Sequence, residues 1–234
     1  MSYASIAPLL DPDIWRFLLG GLVLTGQVAV MAVVLSIIAG TLLAMGRLSR
    51  VPPIWIPATA YVEGMRSLPS FLVLMYVFFG VYRLGFQLPT LAAVVLGLTV
   101  YHSSKIAEVI RAGIQSIEKG QVEAARSLGL TYTQTMLTVI FPQAFRRMVP
   151  ALVSELILCL KNTSIGCVVG LDELTRRGII IYQQYFNPIE TLLVVAALYW
   201  VLCYALSSVS RHLEMESAQK AEYRAAAIHR AVEE

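Results

Sequence analysis

The chain has 234 residues, 57% of them hydrophobic and 14% charged, with a formal net charge of +3 and a mean hydropathy of +0.69. Soluble domains carry roughly a quarter charged residues, so a soluble sphere of this size could neither bury this much apolar surface nor coat itself with so few charges. Disorder, collagen, nucleic-acid binding and small disulfide scaffolds are excluded, and the composition is that of an all-α integral membrane protein of about five or six spans.

The first segment, residues 1–16, carries Asp11 and Asp13 and no basic run, unlike a cleaved signal peptide. No Asp, Glu, Lys or Arg lies between Arg16 and Arg47, a stretch longer than the ~20 residues that cross a bilayer core. Within it Ala32, Ser36, Gly40 and Ala44 recur every four residues as a stripe for close helix packing. A second span is predicted from about Trp55 to Tyr82, interrupted by Glu63, Arg66 and Pro69. A third runs from about Leu88 to a polar end at His102, Ser103, Ser104 and Lys105. A fourth covers about Val149 to Leu171, with Glu155 and Lys161 inside it and Gly166 and Gly170 as a close-packing pair. The fifth, Thr191 to Ser210, is charge-free and holds Tyr199, Trp200 and Tyr204. Cys159, Cys167 and Cys203 lie in apolar stretches without paired spacing and read as small buried hydrophobes.

Five spans place the termini on opposite sides, and the positive-inside rule orients them. Arg47, Arg50, the basic residues of the segment after span three and those of the tail fall on one side; Arg16, Arg83, Arg176 and Arg177 fall on the other. The N-terminus is therefore expected outside and the C-terminus in the cytoplasm. Residues 17–211 form the transmembrane domain, and residues 212–234 are a cytoplasmic tail, a short helix or disordered. Glu173, Arg176, Arg177, Tyr182 and Tyr185 fall in the expected outer segment between spans four and five and are candidates for contact with a partner on that side.

The cytoplasmic segment of about 114–142 is patterned. Gln121 to Leu128 are good helix formers, Gly129 suits a left-handed stop, and Thr131 with Gln134 has capping-box spacing for a new helix towards Pro142. A two-turn helix is unstable alone in water, so it must dock, and Ala124 and Ala125 offer a close-approach surface.

Glu123-Ala-Ala, Gly129 and Ile140-Phe-Pro142 resemble the "EAA" motif of importer permease subunits of the ABC transporter superfamily. The longer string Arg111-Ala-Gly-Ile-Gln-Ser-Ile, Gly120-Gln121, Glu123-Ala-Ala-Arg-Ser-Leu-Gly, Pro142-Gln-Ala-Phe-Arg-Arg is similar to permeases for polar amino acids of the histidine, glutamine, glutamate and arginine type. The resemblance spans roughly residues 20–210. It implies a MetI-like importer permease fold in a bacterial cytoplasmic membrane. It also implies a coupling helix of Gln121, Glu123, Ala124, Ala125 and Gly129 seated in a cytoplasmic ATPase, with Glu123 accepting hydrogen bonds at its helix start or from the ATPase. The implied partners are ABC ATPase subunits, an extracytoplasmic solute-binding protein, a second identical or homologous permease half, and the amino-acid substrate. No G-x-x-x-x-G-K-[ST] loop occurs, so the chain is read as a transport subunit and not an enzyme, with ATP and magnesium at the partner.

Glu63 and Arg66 share a helix face, and each ion at a helix centre costs roughly 2.5–3.5 kcal/mol on insertion scales. Pro69 breaks the helix beyond them, so they are expected to face a polar path at mid-membrane depth. Glu63-Gly-Met-Arg66-Ser-Leu-Pro69 resembles a segment that contributes to the amino-acid site in relatives. On that reading Arg66 holds the substrate carboxylate and Glu63 its ammonium; the alternative is an internal salt bridge tying helices together. Lys161-Asn162-Thr163-Ser164-Ile165 resembles the family's K-D-T-S-L stretch, with Asn162 in place of the usual Asp, and Lys161 either lines the path or is structural. Lys105 departs from the family pattern too: facing the path it favours an acidic side chain such as glutamate or aspartate, and near the cytoplasmic end it snorkels. Glu108 and Arg111 read as a pair, and His102 as a hydrogen-bonded helix residue and not a metal ligand. The rival readings are an ion-coupled secondary transporter, a membrane enzyme, for which no catalytic set is visible, and a non-substrate-binding assembly partner of a homologous permease.

Overall fold

The computed structural model describes residues 7–208. The predicted tail at 212–234, residues 1–6 and the last residues of the fifth span lie outside the described residues. After a single 3-10 turn (Ala7–Leu10), helix α1 (Pro12–Leu48) starts where Asp11 accepts the Asp13 N–H at 2.8 Å and Pro12 takes the first helical position. It ends at Ser49, short of Pro52 and Pro53.

Helix α2 (Pro52–Ser67) and helix α3 (Ser70–Arg83) form the second hydrophobic stretch. Leu68 precedes Pro69 and is forced to extended backbone, which breaks the hydrogen-bond ladder. The prediction was one interrupted span; the structure bends it by 114° between two arms. Helix α4 (Thr90–Gln115) follows, then helix α5 (Lys119–Ser127). One turn (Tyr132–Gln134) and a π-helical stretch (Thr135–Ile140) lead into helix α6 (Phe141–Asn162), which tightens to 3-10 geometry over Thr163–Val169. The short helix α7 (Leu174–Tyr185) precedes α8 (Pro188–Ser208). Among the described residues, four helical stretches are long and apolar enough to cross a membrane, or five if the bent pair makes one crossing.

The helix after Thr131 was expected to run towards Pro142 and instead continues through it. Proline has no N–H for the carbonyl four residues back, and its ring crowds that carbonyl. The π-helical turn widens the ladder just before it, with the Phe141 N–H reaching the Met136 carbonyl.

The central packing is α1 against α4. Ala32, Ser36, Gly40 and Ala44 are all buried, and a Cβ on Gly40 would come within 2.9 Å of the Ser103 carbonyl. In lipid the gain is backbone approach and dispersion, since helices have no hydrophobic reason to associate there. Val28, Ala32 and Val33 pack with Leu74, Val94, Leu98 and Cys159 in one core cluster. A second cluster towards the α4–α6 loop joins Ala44, Val62, Ile106, Ile110, Ile140 and Met148. Gly166 lies in close contact with Leu171, but Gly170 does not pack: its φ of +85 ends the 3-10 turn, so the predicted glycine pair has two different jobs.

A polar knot ties α7 and α8 to α1. Glu173 is fully buried and accepts the Thr175 and Arg176 N–H groups at 2.9 and 2.8 Å and the Tyr199 hydroxyl at 2.9 Å. The Leu174 N–H reaches Thr25 Oγ1 at 3.2 Å, and Arg177 donates to the Phe17 carbonyl at 2.6 Å while lying over the Phe17 ring.

Candidate functional site

Five charged side chains converge where α1, α2 and α4 meet. Arg47, at the end of α1, donates to Glu108 on α4 at 2.6 Å and to Glu63 on α2 at 2.7 Å. Arg66 lies 3.4 Å from Glu108 and 3.8 Å from Glu63, and Arg111 forks onto Glu108 from the next turn of α4. Three guanidiniums share two carboxylates, so the cluster has one excess positive charge. The Arg47 side chain is only 9% exposed, which makes its two acceptors obligatory. Glu63 and Arg66 were expected to face a polar path as substrate contacts, with an internal salt bridge tying helices together as the alternative; the structure shows the ion pairs. Both side chains are held at the C-terminal end of α1 by Arg47 and Glu108.

Beside this cluster lies a cavity of about 510 Å³. Its walls come chiefly from the second half of α4 and from Arg147 to Glu155 of α6, the two helices that the 116–140 segment joins, with Arg66 of α2 at the edge. Arg66, Lys105, Glu108, Arg147 and Glu155 bring charge to it, and Ala112, Gly113 and Ala151 keep it open. Glu108 is already taken by arginines. Arg147 is anchored, with Nη1 donating to the Ser116 carbonyl at 2.6 Å. Lys105 makes no ion pair among the described residues and rests 5.4 Å from the Tyr101 ring.

Glu155 meets His102 across the α4–α6 interface, 2.6 Å from Nδ1. The other ring nitrogen, Nε2, accepts from the Asn162 side-chain amide at 3.2 Å. Glu155 and Asn162 are seven residues, or two turns, apart on α6, so one face of that helix grips both nitrogens of the fully buried imidazole.

The α4–α6 loop is held as a rigid unit. Helix α5 begins two residues before the predicted Gln121 and ends in a left-handed stop at Gly129, φ +83. The Gly129 N–H bonds the Arg126 carbonyl and the Leu130 N–H bonds the Ala125 carbonyl, which satisfies the loose carbonyls of the last turn. Thr131 and Gln134 then make both halves of a capping box. Ala125 is 4% exposed and turned into its own chain; Glu123, Ala124 and Leu128 point outward, Leu128 at 83% exposure. The outer face therefore carries Ala124 but not Ala125. Glu123 sits mid-helix and Glu118 takes the N-cap position without a side-chain bond. Gln121 contacts Gln143 at 3.4 Å, stapling α5 to α6.

Of the residues singled out in the sequence as substrate contacts, Arg66 and Lys105 line the cavity, and Glu63 reaches it only through Arg47 and Arg66. Lys161 is exposed, Asn162 lies on the far side of His102, and Thr163 is buried with its hydroxyl on the Leu160 carbonyl. Arg47, Arg147 and the His102–Glu155 contact were missed. Arg47 had been read as a loop charge. The seven-residue spacing of Glu155 and Asn162 was the available signal for the shared grip. Of the candidates for contact with a binding protein, Glu173 is fully buried and Arg177, half-exposed, is engaged by the Asp172 and Phe17 carbonyls. Among the described residues, no group of three His, Cys, Asp or Glu is placed to hold a metal ion.

Residues 32–216 match the model of a protein family described as the binding-protein-dependent transport system inner membrane component. The chain is 40% identical over 204 residues to the probable glutamine ABC transporter permease protein GlnP of Bacillus subtilis (strain 168), covering 85% of this chain and 93% of that protein. It is 36% identical over 200 residues to the arginine transport system permease protein ArtQ of the same organism, covering 85% and 91%. A solved amino acid ABC transporter with histidines superposes with a TM-score of 0.84 at 32% identity, covering 92% of this chain and 99% of that one. The inward-facing MetNI methionine ABC transporter superposes at 0.64 with 23% identity, covering 87% and 98%, and shares the fold. The chain belongs to the inner-membrane permease family of binding-protein-dependent ABC transport systems, bacterial multi-pass subunits whose ATP hydrolysis resides in a separate partner.

Proposed function

We propose that this chain is one half of the permease of an ATP-driven importer for a polar amino acid, with its N-terminus outside and its C-terminus in the cytoplasm. Residues 1–16 are external, residues 17–211 span the membrane, and the tail is cytosolic. The observation that carries this reading is the position of the cavity: its two walls, α4 and α6, are the helices joined by the rigid α5 unit. A force applied to α5 moves both walls. Gln121, Glu123, Ala124 and the turn at Gly129 form the surface on which a partner ATPase pushes, and Ala125 fastens that surface to the permease. A solute-binding protein outside and a second permease half complete the path, which rocks between outward and inward openings.

The substrate reading follows from charge. An amino-acid backbone carries one carboxylate and one ammonium. Glu155 has only one carboxylate oxygen engaged, Oε1 on His102, and is suited to the ammonium. Arg66 and Lys105 supply positive charge for carboxylates. With Glu108 already committed to arginines, the cavity retains positive charge, which favours an acidic side chain, glutamate or aspartate. Relatives of this chain are named for glutamine and arginine transport, so the side chain accepted is the part of this reading that the test must decide. Asn162 and Thr163 support the wall from behind, and Lys161 faces outward where a second permease half could meet it.

The test is uptake by the complete importer in proteoliposomes, with glutamate, glutamine and arginine compared. Lys105→Ala is expected to lower kcat/KM for glutamate about tenfold or more and to leave that for glutamine within about threefold. Equal losses for all three would overturn the acidic preference, and ATP-independent uptake would overturn the importer reading.

A further inference from the structure

We infer that His102 is a positioning residue for the substrate site: it holds Glu155 so that one carboxylate oxygen is bonded to the ring and the other is turned to the cavity. The inference rests on the reading of that cavity as the substrate site. His102 has no solvent exposure, and both its nitrogens are used, Nδ1 on Glu155 Oε1 at 2.6 Å and Nε2 on the Asn162 amide at 3.2 Å.

The chemistry of the amide sets the order of the chain. The Asn162 NH2 group only donates, so Nε2 is the bare nitrogen and the ring hydrogen sits on Nδ1, directed at Glu155. A neutral ring so oriented gives Glu155 one strong donor and adds no positive charge to compete with a substrate ammonium. It also fixes the rotamer, because a carboxylate on a helix beside an open cavity of about 510 Å³ could otherwise swing towards the free Lys105 ammonium. Such a collapse would neutralise both substrate contacts at once. Packing of α4 against α6 therefore does more than join two helices: it keeps an acid and a base apart in one small space.

The roles separate by kinetics. In the complete importer, His102→Ala is expected to raise KM about tenfold and to lower kcat less than threefold, since ground-state contact is lost. His102→Gln offers an amide NH2 to Glu155 and an amide oxygen to Asn162, and is expected to bring KM back to within about threefold of wild type. Glu155→Gln is expected to raise KM as His102→Ala does, and the double variant to be no weaker than Glu155→Gln alone, because His102 acts through that carboxylate. Effects that multiply, a normal KM in His102→Ala, or no rescue by His102→Gln would overturn the positioning role. A Glu155→Gln variant with a normal KM would overturn the cavity reading itself, and this inference with it. If His102→Ala does not assemble, Asn162→Leu frees the ring without hollowing the core, and must raise KM only when Glu155 is present; a normal KM there overturns the proposal.

Discussion

Arg47 and Glu108 are 61 residues apart in sequence and 2.6 Å apart in space, at the point where α1, α2 and α4 meet. Glu108 serves Arg47, Arg66 and Arg111 together, so its charge holds three like charges in one place. Glu108→Gln is expected to destabilise the purified permease by about 3 kcal/mol, the cost of leaving buried charge uncompensated. Asp13→Asn, in a surface pair with Arg16 whose side chains are 79% and 81% exposed, is expected to leave the melting temperature unchanged. Thermal melts of the two variants in one detergent check this contrast.

The two alanines of α5 are expected to behave differently. Ala125 is buried, so Ala125→Leu overpacks its contact and costs about 1–3 kcal/mol in stability. Ala124 is exposed, so Ala124→Leu leaves stability alone but obstructs whatever seats there. Melting temperature should fall only in the first variant, whereas ATP-driven uptake should fall in both.

Gly129 holds a φ of +83 at the stop between α5 and the Thr131–Gln134 cap. A Cβ there meets no neighbour, so the penalty for Gly129→Ala is backbone strain alone, about 1–2 kcal/mol. Gly129→Asn, which tolerates the left-handed region better, should retain more ATP-driven uptake than Gly129→Ala. Equal uptake by the two would show that the turn is not what matters.

Glu173 lies outside the spanning helices, and burial pushes its carboxyl above the ordinary range, partly opposed by the Thr175 and Arg176 N–H groups and the Tyr199 hydroxyl. The native state then holds the proton more tightly than the unfolded chain. The protonated group's contribution is fully present below the unfolded pKa and is lost as pH rises through the higher, native one. Relative to Glu173→Gln, the wild type should therefore gain stability as pH falls from about 7 to about 5. Paired melts across that range measure it, and a difference that moves the other way contradicts the assignment.

What could be read from sequence was local. The four-residue recurrence of Ala32, Ser36, Gly40 and Ala44 is a property of one helix, and those residues are buried where the stripe predicted. Gly129 and the Thr131–Gln134 box involve residues within a few positions of each other and were legible for the same reason. The cluster around Arg47 was not, because its partners lie 16 and 61 residues away and only the packing of three helices brings them together. Pro69 announced a break, but its 114° bend depends on where α2 is held, and Glu63 and Arg66 are held by Arg47 and Glu108. Glu173 and Arg177 looked available because sequence shows charge and not burial; the cap of α7 and the Phe17 carbonyl consume them.

On the proposed function, the exposed face of α5 passes force from a separate ATPase to the walls of the cavity. A cysteine placed at Ala124 and crosslinked in vesicles that are actively importing tests it most directly. The expected result is a covalent adduct with the nucleotide-hydrolysing subunit, loss of uptake on crosslinking, recovery on reduction, and no such adduct from the buried position of Ala125. An Ala124 cysteine that never reaches that subunit while uptake proceeds would contradict it.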